Sequence, residues 1–323
     1  MFANMVWFEI KLRSRQLSTY VYFALWFLMC FFSVASQGFG PAGIGKVLLN
    51  GPYAIHINYV VLTAFGSIIL AAIFGTSILR DFKEDTYQLI FTKPISKLAY
   101  LGGRWAGSLI VSALIFSGLI FGMVFGSLAP WADHERIAAI NLRWLLQPYF
   151  SVVLIQIFFL GSLFFMVAAL TRRIAVVYLQ GVILFALYMI ASLIVNTGRS
   201  LDTFWPAVFD PLGLILNLHV TKYWTVAERN TQLVSWGGAF LYNRLLWIGA
   251  GVLALAITYA MFPMSVEALT KKGVGRRAAR RKIQEDDESP VRHQGGMAIP
   301  VVTRAFGTRA QLTQLKSLTG SES

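Results

Sequence analysis

The residues best suited to chemistry are few, and none is spaced for it. The four histidines are His56, His134, His219 and His293. None belongs to an HExxH pair or has a second histidine at metal-ligand spacing. The nearest approach is His134 followed by Glu135. Gly38, Gly40 and Gly43 spell GxGxxG. Gly40, Gly45 and Lys46 nearly spell a phosphate-binding loop, but Val47 stands where a Ser or Thr would reach Mg²⁺. Both motifs need a strand before and a helix after, so that amides converge on phosphate. Here an apolar segment precedes them in a Gly- and Pro-rich stretch, residues 37–53, which reads as a flexible turn. No GxSxG elbow occurs. A single cysteine, Cys30, excludes an internal disulfide and a cysteine-built metal site. The sequence therefore predicts no catalytic, cofactor or metal residues, and a protein that is not itself an enzyme.

Charge of both signs is instead concentrated in one loop, residues 80–104, RDFKEDTYQLIFTKPISKLAYLGGR. Tyr87, Leu89, Ile90 and Phe91 are interleaved with those charges, which suits a docking surface better than a plain linker. Pro94 ends a stretch, residues 86–91, long enough for one or two helical turns. A second short element, residues 96–100, leads to Gly102 and Gly103.

This loop lies between long apolar segments. There are six, at residues 19–36, 54–79, 106–128, 148–170, 174–195 and 245–262, and none has a charge in its middle. Each reaches or approaches the roughly 20 residues that cross about 30 Å of hydrocarbon as a helix. The composition agrees: 56% hydrophobic residues and a mean hydropathy of +0.62. The expected fold is an all-α integral membrane protein with six transmembrane helices. Clean interiors argue against a proton relay or ion-coupled carrier, which place ionisable groups inside the membrane.

The net charge of +13 does not point to nucleic acid, because of its distribution. With the N-terminus inside, the inner segments hold 21 of the 28 basic residues and the outer segments seven. This places both termini in the cytoplasm by the positive-inside rule, with the inner excess also facing anionic lipid. Residues 1–16 mix Phe2, Met5, Val6, Phe8, Ile10 and Leu12 with Glu9, Lys11, Arg13 and Arg15. They suit a short helix in the inner interface, with a cytoplasmic extension of the first span as the alternative. The first span reads as retained, not as a cleaved signal.

Gly118, Gly122 and Gly126 form a small-residue ridge on the third span, which predicts a close helix contact, within this chain or with a partner. Residues 196–243 are apolar but interrupted by Pro206, Asp210, Pro211 and Gly213, as in half-inserted helices over an outer mouth. His56 and Asn58 read as interfacial polar groups, and Gln156 and Gln180 as bonds between helices, with groups lining a pathway as the alternative. From residue 271 a basic run, an acidic block and a Gly/Pro stretch read as a disordered cytoplasmic tail. Leu312, Leu315 and Leu318 then recur at helical spacing, as if a new span were about to begin. The chain divides accordingly into a six-span domain, 1–270, and a tail, 271–323.

With these features in view, the chain resembles the type-2 ABC exporter permeases. The resemblance rests on six spans, a leading interfacial helix and a charged loop between spans two and three. Lys93-Pro94-Ile95-Ser96, Gly103-Arg104 and Asp210-Pro211-Leu212-Gly213 match family elements. NGPYAI at 50–55, GSLAPW at 126–131, VTKYWTVAERN at 220–230 and NRLLW at 243–247 look like the first permease half of bacterial fusions with an aminopeptidase N-type domain. There is no second half and no HExxH, so peptidase activity does not carry over. The resemblance implies an ABC ATP-binding subunit docking through Arg80, Asp81, Phe82, Glu84, Lys93, Pro94 and Arg104. It also implies a second permease protomer, identical or not, in the bacterial inner membrane. The alternative is a truncated anchor or scaffold derived from such a fusion, without transport of its own.

Overall fold

Backbone amides in a long apolar run have no solvent to bond to, so such runs close their hydrogen bonds as helices. The computed structural model describes residues 1–36, 45–197 and 204–264, all within one unit, Met1–Ala268. The tail from residue 271, its expected helix over 311–318, His293 and the GxGxxG glycines lie outside the described residues. Among the described residues every regular element is helical. In chain order these are α1 (Phe2–Ser14), α2 (Leu17–Ala35), α3 (Pro52–Phe65), α4 (Ser67–Lys83), α5 (Tyr87–Phe91), α6 (Lys97–Phe116) and α7 (Gly118–Ser127). There follow α8 (Leu142–Pro148), α9 (Leu154–Thr171), α10 (Ile174–Thr197), α11 (Phe204–Val208), α12 (Leu214–Thr221), α13 (Val226–Thr231) and α14 (Gly238–Met261).

Among the described residues, four helical stretches are long and apolar enough to cross a membrane: α2, Lys97–Ser127, Leu142–Thr171 and α14. The pair α3 and α4 makes a fifth if counted as one span bent by 50°. The apolar part of α10, Ile174–Ile190, is shorter. The described residues are thus all-helical, with four to five stretches compatible with a multi-pass membrane protein.

The expected second segment is broken, and packing is the reason. A Cβ on Gly66 would stand 2.5 Å from the Phe116 ring. Glycine there lets the end of α6 press into the chain where it bends. The expected fourth segment starts earlier, at α8, and runs through Pro148 and a π-helical turn at Tyr149–Val153 into α9. Proline cannot donate the next helical bond, so the ladder shifts there.

Helix α2 lies along α7, α1 on α6, and α9 between α4 and α14. One apolar cluster runs through these helices, from Trp26 and Cys30 to Phe164 and Phe262. A smaller one, around Val208, Leu216 and Phe240, sits among α11, α12 and the start of α14.

Candidate functional site

Helix α1 is turned inside out for a water-facing helix. Its buried residues are the charged pair Glu9 and Arg13, while Trp7 is 64% exposed and Phe2 and Phe8 are nearly half exposed. Two glycines on α6 bring it close. A Cβ on Gly103 would meet the Met5 Cβ at 2.5 Å, and one on Gly107 the Glu9 Cβ at 2.6 Å. This Gly103-xxx-Gly107 spacing is a second small-residue ridge.

That approach inserts Glu9, 0% exposed, among three guanidinium groups. Its Oε1 accepts from Arg13 Nε at 2.8 Å. Its Oε2 accepts from Arg80 Nη2 at 3.0 Å and Arg104 Nη1 at 2.7 Å. Arg104 also donates through Nη2 to both Asp81 oxygens at 2.7 Å. The Tyr100 hydroxyl donates to Asp81 Oδ2 at 2.9 Å. Arg13 reaches on to the Ile73 carbonyl and, at 3.3 Å, to Thr76 Oγ1. Helices α1, α4 and α6 are therefore tied by one buried charge knot. Burial alone would raise the Glu9 pKa, but the guanidiniums of Arg13, Arg80 and Arg104 carry it below its ordinary 4.5.

The residues 80–104 are thus divided. Arg80, Asp81 and Arg104 turn inward, whereas Glu84, Lys93 and Pro94 are exposed. Between them the short α5 presents Leu89, 70% exposed. Its other side holds Tyr87 and Phe91. Tyr87 packs on Phe82 at 5.2 Å, and Phe91 lies against Tyr100 at 5.4 Å and Phe262 at 6.4 Å. Five rings thereby join α5 to the ends of α4, α6 and α14. Ser96 caps α6 by accepting from the Ala99 amide.

The opposite end holds a second polar knot, built on backbone. Asp210 accepts from the amides of Leu212, Gly213 and Leu216 at 2.8–3.0 Å. Gly213 has φ +89, a left-handed conformation that glycine adopts freely. Asn243 Nδ2 donates to the carbonyls of Ala207, Val208 and Asp210. This locks the Asp210-Pro211-Leu212-Gly213 element onto α14. Arg244 is buried beside it, over the Phe240 ring at 4.9 Å. The sequence motifs around Asn50 and Asn230 meet at this end too. Asn50 pairs with both backbone groups of Ala138, and Asn230 with Leu48 and Lys46.

The Gly118, Gly122 and Gly126 ridge faces α2 of the same chain. Added Cβ atoms would meet the carbonyl oxygens of Phe23, Phe27 and Phe31. Two expectations differ from the structure. His56 and Asn58 are buried, His56 near Phe240 and Asn58 bonded to the Ala54 carbonyl. The α3 turn that carries them is covered by the outer cap instead of facing an interface. Gln156 is also buried, and neither amide atom has a hydrogen-bond partner among the described residues. Among the described residues, no three His, Cys, Asp or Glu side chains gather as metal ligands.

Sequence reasoning missed Glu9 as the centre of the inner knot. The available signal was Gly103 and Gly107 four residues apart, opposite a helix that carries Glu9 and Arg13, also four apart. No family model and no curated protein matches the chain.

Proposed function

We propose that this chain is the six-span permease subunit of an ATP-driven exporter of the type-2 ABC kind, in the bacterial inner membrane with both termini cytoplasmic. The observation that carries the reading is α5. It projects between two spans, exposes Leu89, and is anchored by aromatic rings to three other helices. A partner seated on Leu89, Glu84 and Lys93 would push on α4, α6 and α14 together. In this reading ATP is bound by a separate subunit, and its closure moves the spans through the ring cluster and the charge knot behind it. A second permease protomer completes the pathway. The exposed aromatics and buried charges of α1 support membrane residence, since lipid reverses the usual preference for charge outside. The apolar length of α10 and the bent pair α3–α4 supply the fifth and sixth spans.

Two measurements test this. Cys30 is buried, so cysteines introduced elsewhere report alone. Impermeant reagent on intact cells labels Tyr223→Cys and spares Lys93→Cys; the reverse overturns the orientation. With a co-expressed ATP-binding subunit, Leu89→Arg lowers co-purification and stimulated ATPase activity while the protein still inserts. Unchanged binding and ATPase for Leu89→Arg and Glu84→Lys alike refutes the docking role of this loop.

A further inference from the structure

Arg13, Arg80 and Arg104 each bond a carboxylate oxygen. Arg244, in the second turn of α14, does not. Its side chain is 2% exposed, and among the described residues its Nε and Nη2 have no hydrogen-bond partner. These two nitrogens lie on one edge of the guanidinium plane, the edge that grips two oxygens at once. Asp210 is the carboxylate whose field reaches Arg244. Its oxygens are already taken by the amides of Leu212, Gly213 and Leu216 and by the Tyr188 hydroxyl.

Three helices surround this free edge. The Phe240 ring of α14 lies 4.9 Å from the guanidinium. A Cβ on Gly213, at the start of α12, would stand 3.2 Å from Nη2, so glycine leaves that nitrogen uncovered on one side. The same Cβ would touch Val60 of α3 at 3.7 Å. His56 lies one turn before Val60 on the same face of α3, its ring 6.2 Å from Phe240. Asn217 lies one turn beyond Gly213 on α12, buried, with neither amide atom partnered among the described residues. An unpartnered guanidinium is thus enclosed with neutral polar side chains near it, which is costly unless an anion completes it.

We propose that the Nε–Nη2 edge of Arg244 binds the carboxylate of a small molecule, enclosed by α3, α12 and α14. A carboxylate is planar and offers two oxygens to the two parallel N–H groups of that edge. It carries one charge, as does Arg244. A doubly charged anion would leave its second charge uncompensated beside Asp210, where like charges repel. The inference rests on the packing of these three helices and on no ATP-binding subunit, so it and the permease reading can fail separately.

The test uses the full chain purified in detergent and exchanged into chloride, with sodium acetate as the probe at constant ionic strength. Retention of radiolabelled acetate in equilibrium dialysis and melting temperature are read together. The wild type binds acetate and melts higher with it. Arg244→Lys keeps the charge but loses the paired edge, and weakens binding about tenfold. Arg244→Met shows no acetate effect. In chloride alone it melts no lower than the wild type, because apolar volume replaces an unpartnered buried charge. Sulfate binds more weakly than acetate, and the exposed Arg143→Glu binds acetate as the wild type does. No acetate bound by the wild type, or equal binding by Arg244→Met, overturns the proposal. A lower melting temperature for Arg244→Met in chloride would show that Arg244 already has a partner, such as ordered water, and equally overturns it. Sulfate binding as tight as acetate would mark a general anion site and overturn the carboxylate assignment.

Discussion

The two buried polar knots lie at opposite ends of α14. Phe262, just beyond it, packs by the charge knot, inner in the proposed topology, and Arg244, in its second turn, by the backbone knot, outer in that topology. Eighteen residues of helix separate them by roughly 27 Å. The inner knot is charge against charge: two carboxylates and three guanidiniums from α1, α4 and α6. The outer knot is one carboxylate and one amide set mainly against backbone, with the Tyr188 hydroxyl of α10 joining Asp210 and the Leu214 amide. The difference follows from what each joins. Side chains at the inner end link three separate helices, so that end is held by groups that can exchange partners. At the outer end most partners are amides and carbonyls of one local turn.

The sharpest way to break this comparison is to remove the centre of the inner knot. Glu9→Ala removes the shared acceptor of Arg13, Arg80 and Arg104, leaves Arg104 as the only one of the three bonded to Asp81, and costs about 3–5 kcal/mol. Thermal melting in detergent measures it. A loss no larger than that of Asp210→Asn would erase the distinction between the ends. At the contact of α2 with α7, Gly122→Leu drives a side chain into the Phe27 backbone and costs about 1–3 kcal/mol. Wild-type melting for this variant and for Gly118→Leu would mean that α2 and α7 do not pack there. Asp210→Asn keeps an acceptor but loses the charge assistance of its amide bonds, for about 1–2 kcal/mol. It should loosen only the outer cap, read as faster proteolysis within residues 204–231.

The smallest effect is in pH. The Glu9 pKa is lower in the folded chain than its ordinary 4.5. Its stabilisation is therefore fully present above pH 4.5 and is lost as pH falls through the lower folded value. Melting temperature followed downward from pH 6 should decline in the wild type, and Glu9→Gln should flatten that part of the decline. An identical profile in both would show that another group carries the acid sensitivity.

Much of the fold was legible because lipid-compatible length and apolarity act locally. The segments at 19–36, 106–128 and 245–262 lie within or largely overlap the helical stretches α2, Lys97–Ser127 and α14. The bend at Gly66 was not legible, since its cause is the Phe116 ring, some fifty residues away. Nor was the partner of the Gly118–Gly122–Gly126 ridge, because spacing shows that a helix can come close and not which one does.

Composition and periodicity by themselves determined an all-helical chain, charge gathered in residues 80–104, and small-residue ridges on one helix face. Those properties depend on near neighbours and on transfer from water, which any unfolded segment already carries. Only the tertiary structure decided that Arg80, Asp81 and Arg104 turn inward to Glu9 while Glu84, Lys93 and Leu89 stay outside. Glu9 and Arg104 are buried because partners from distant segments converge on them. That convergence depends on Gly103 and Gly107 admitting α1, a fact of packing in three dimensions.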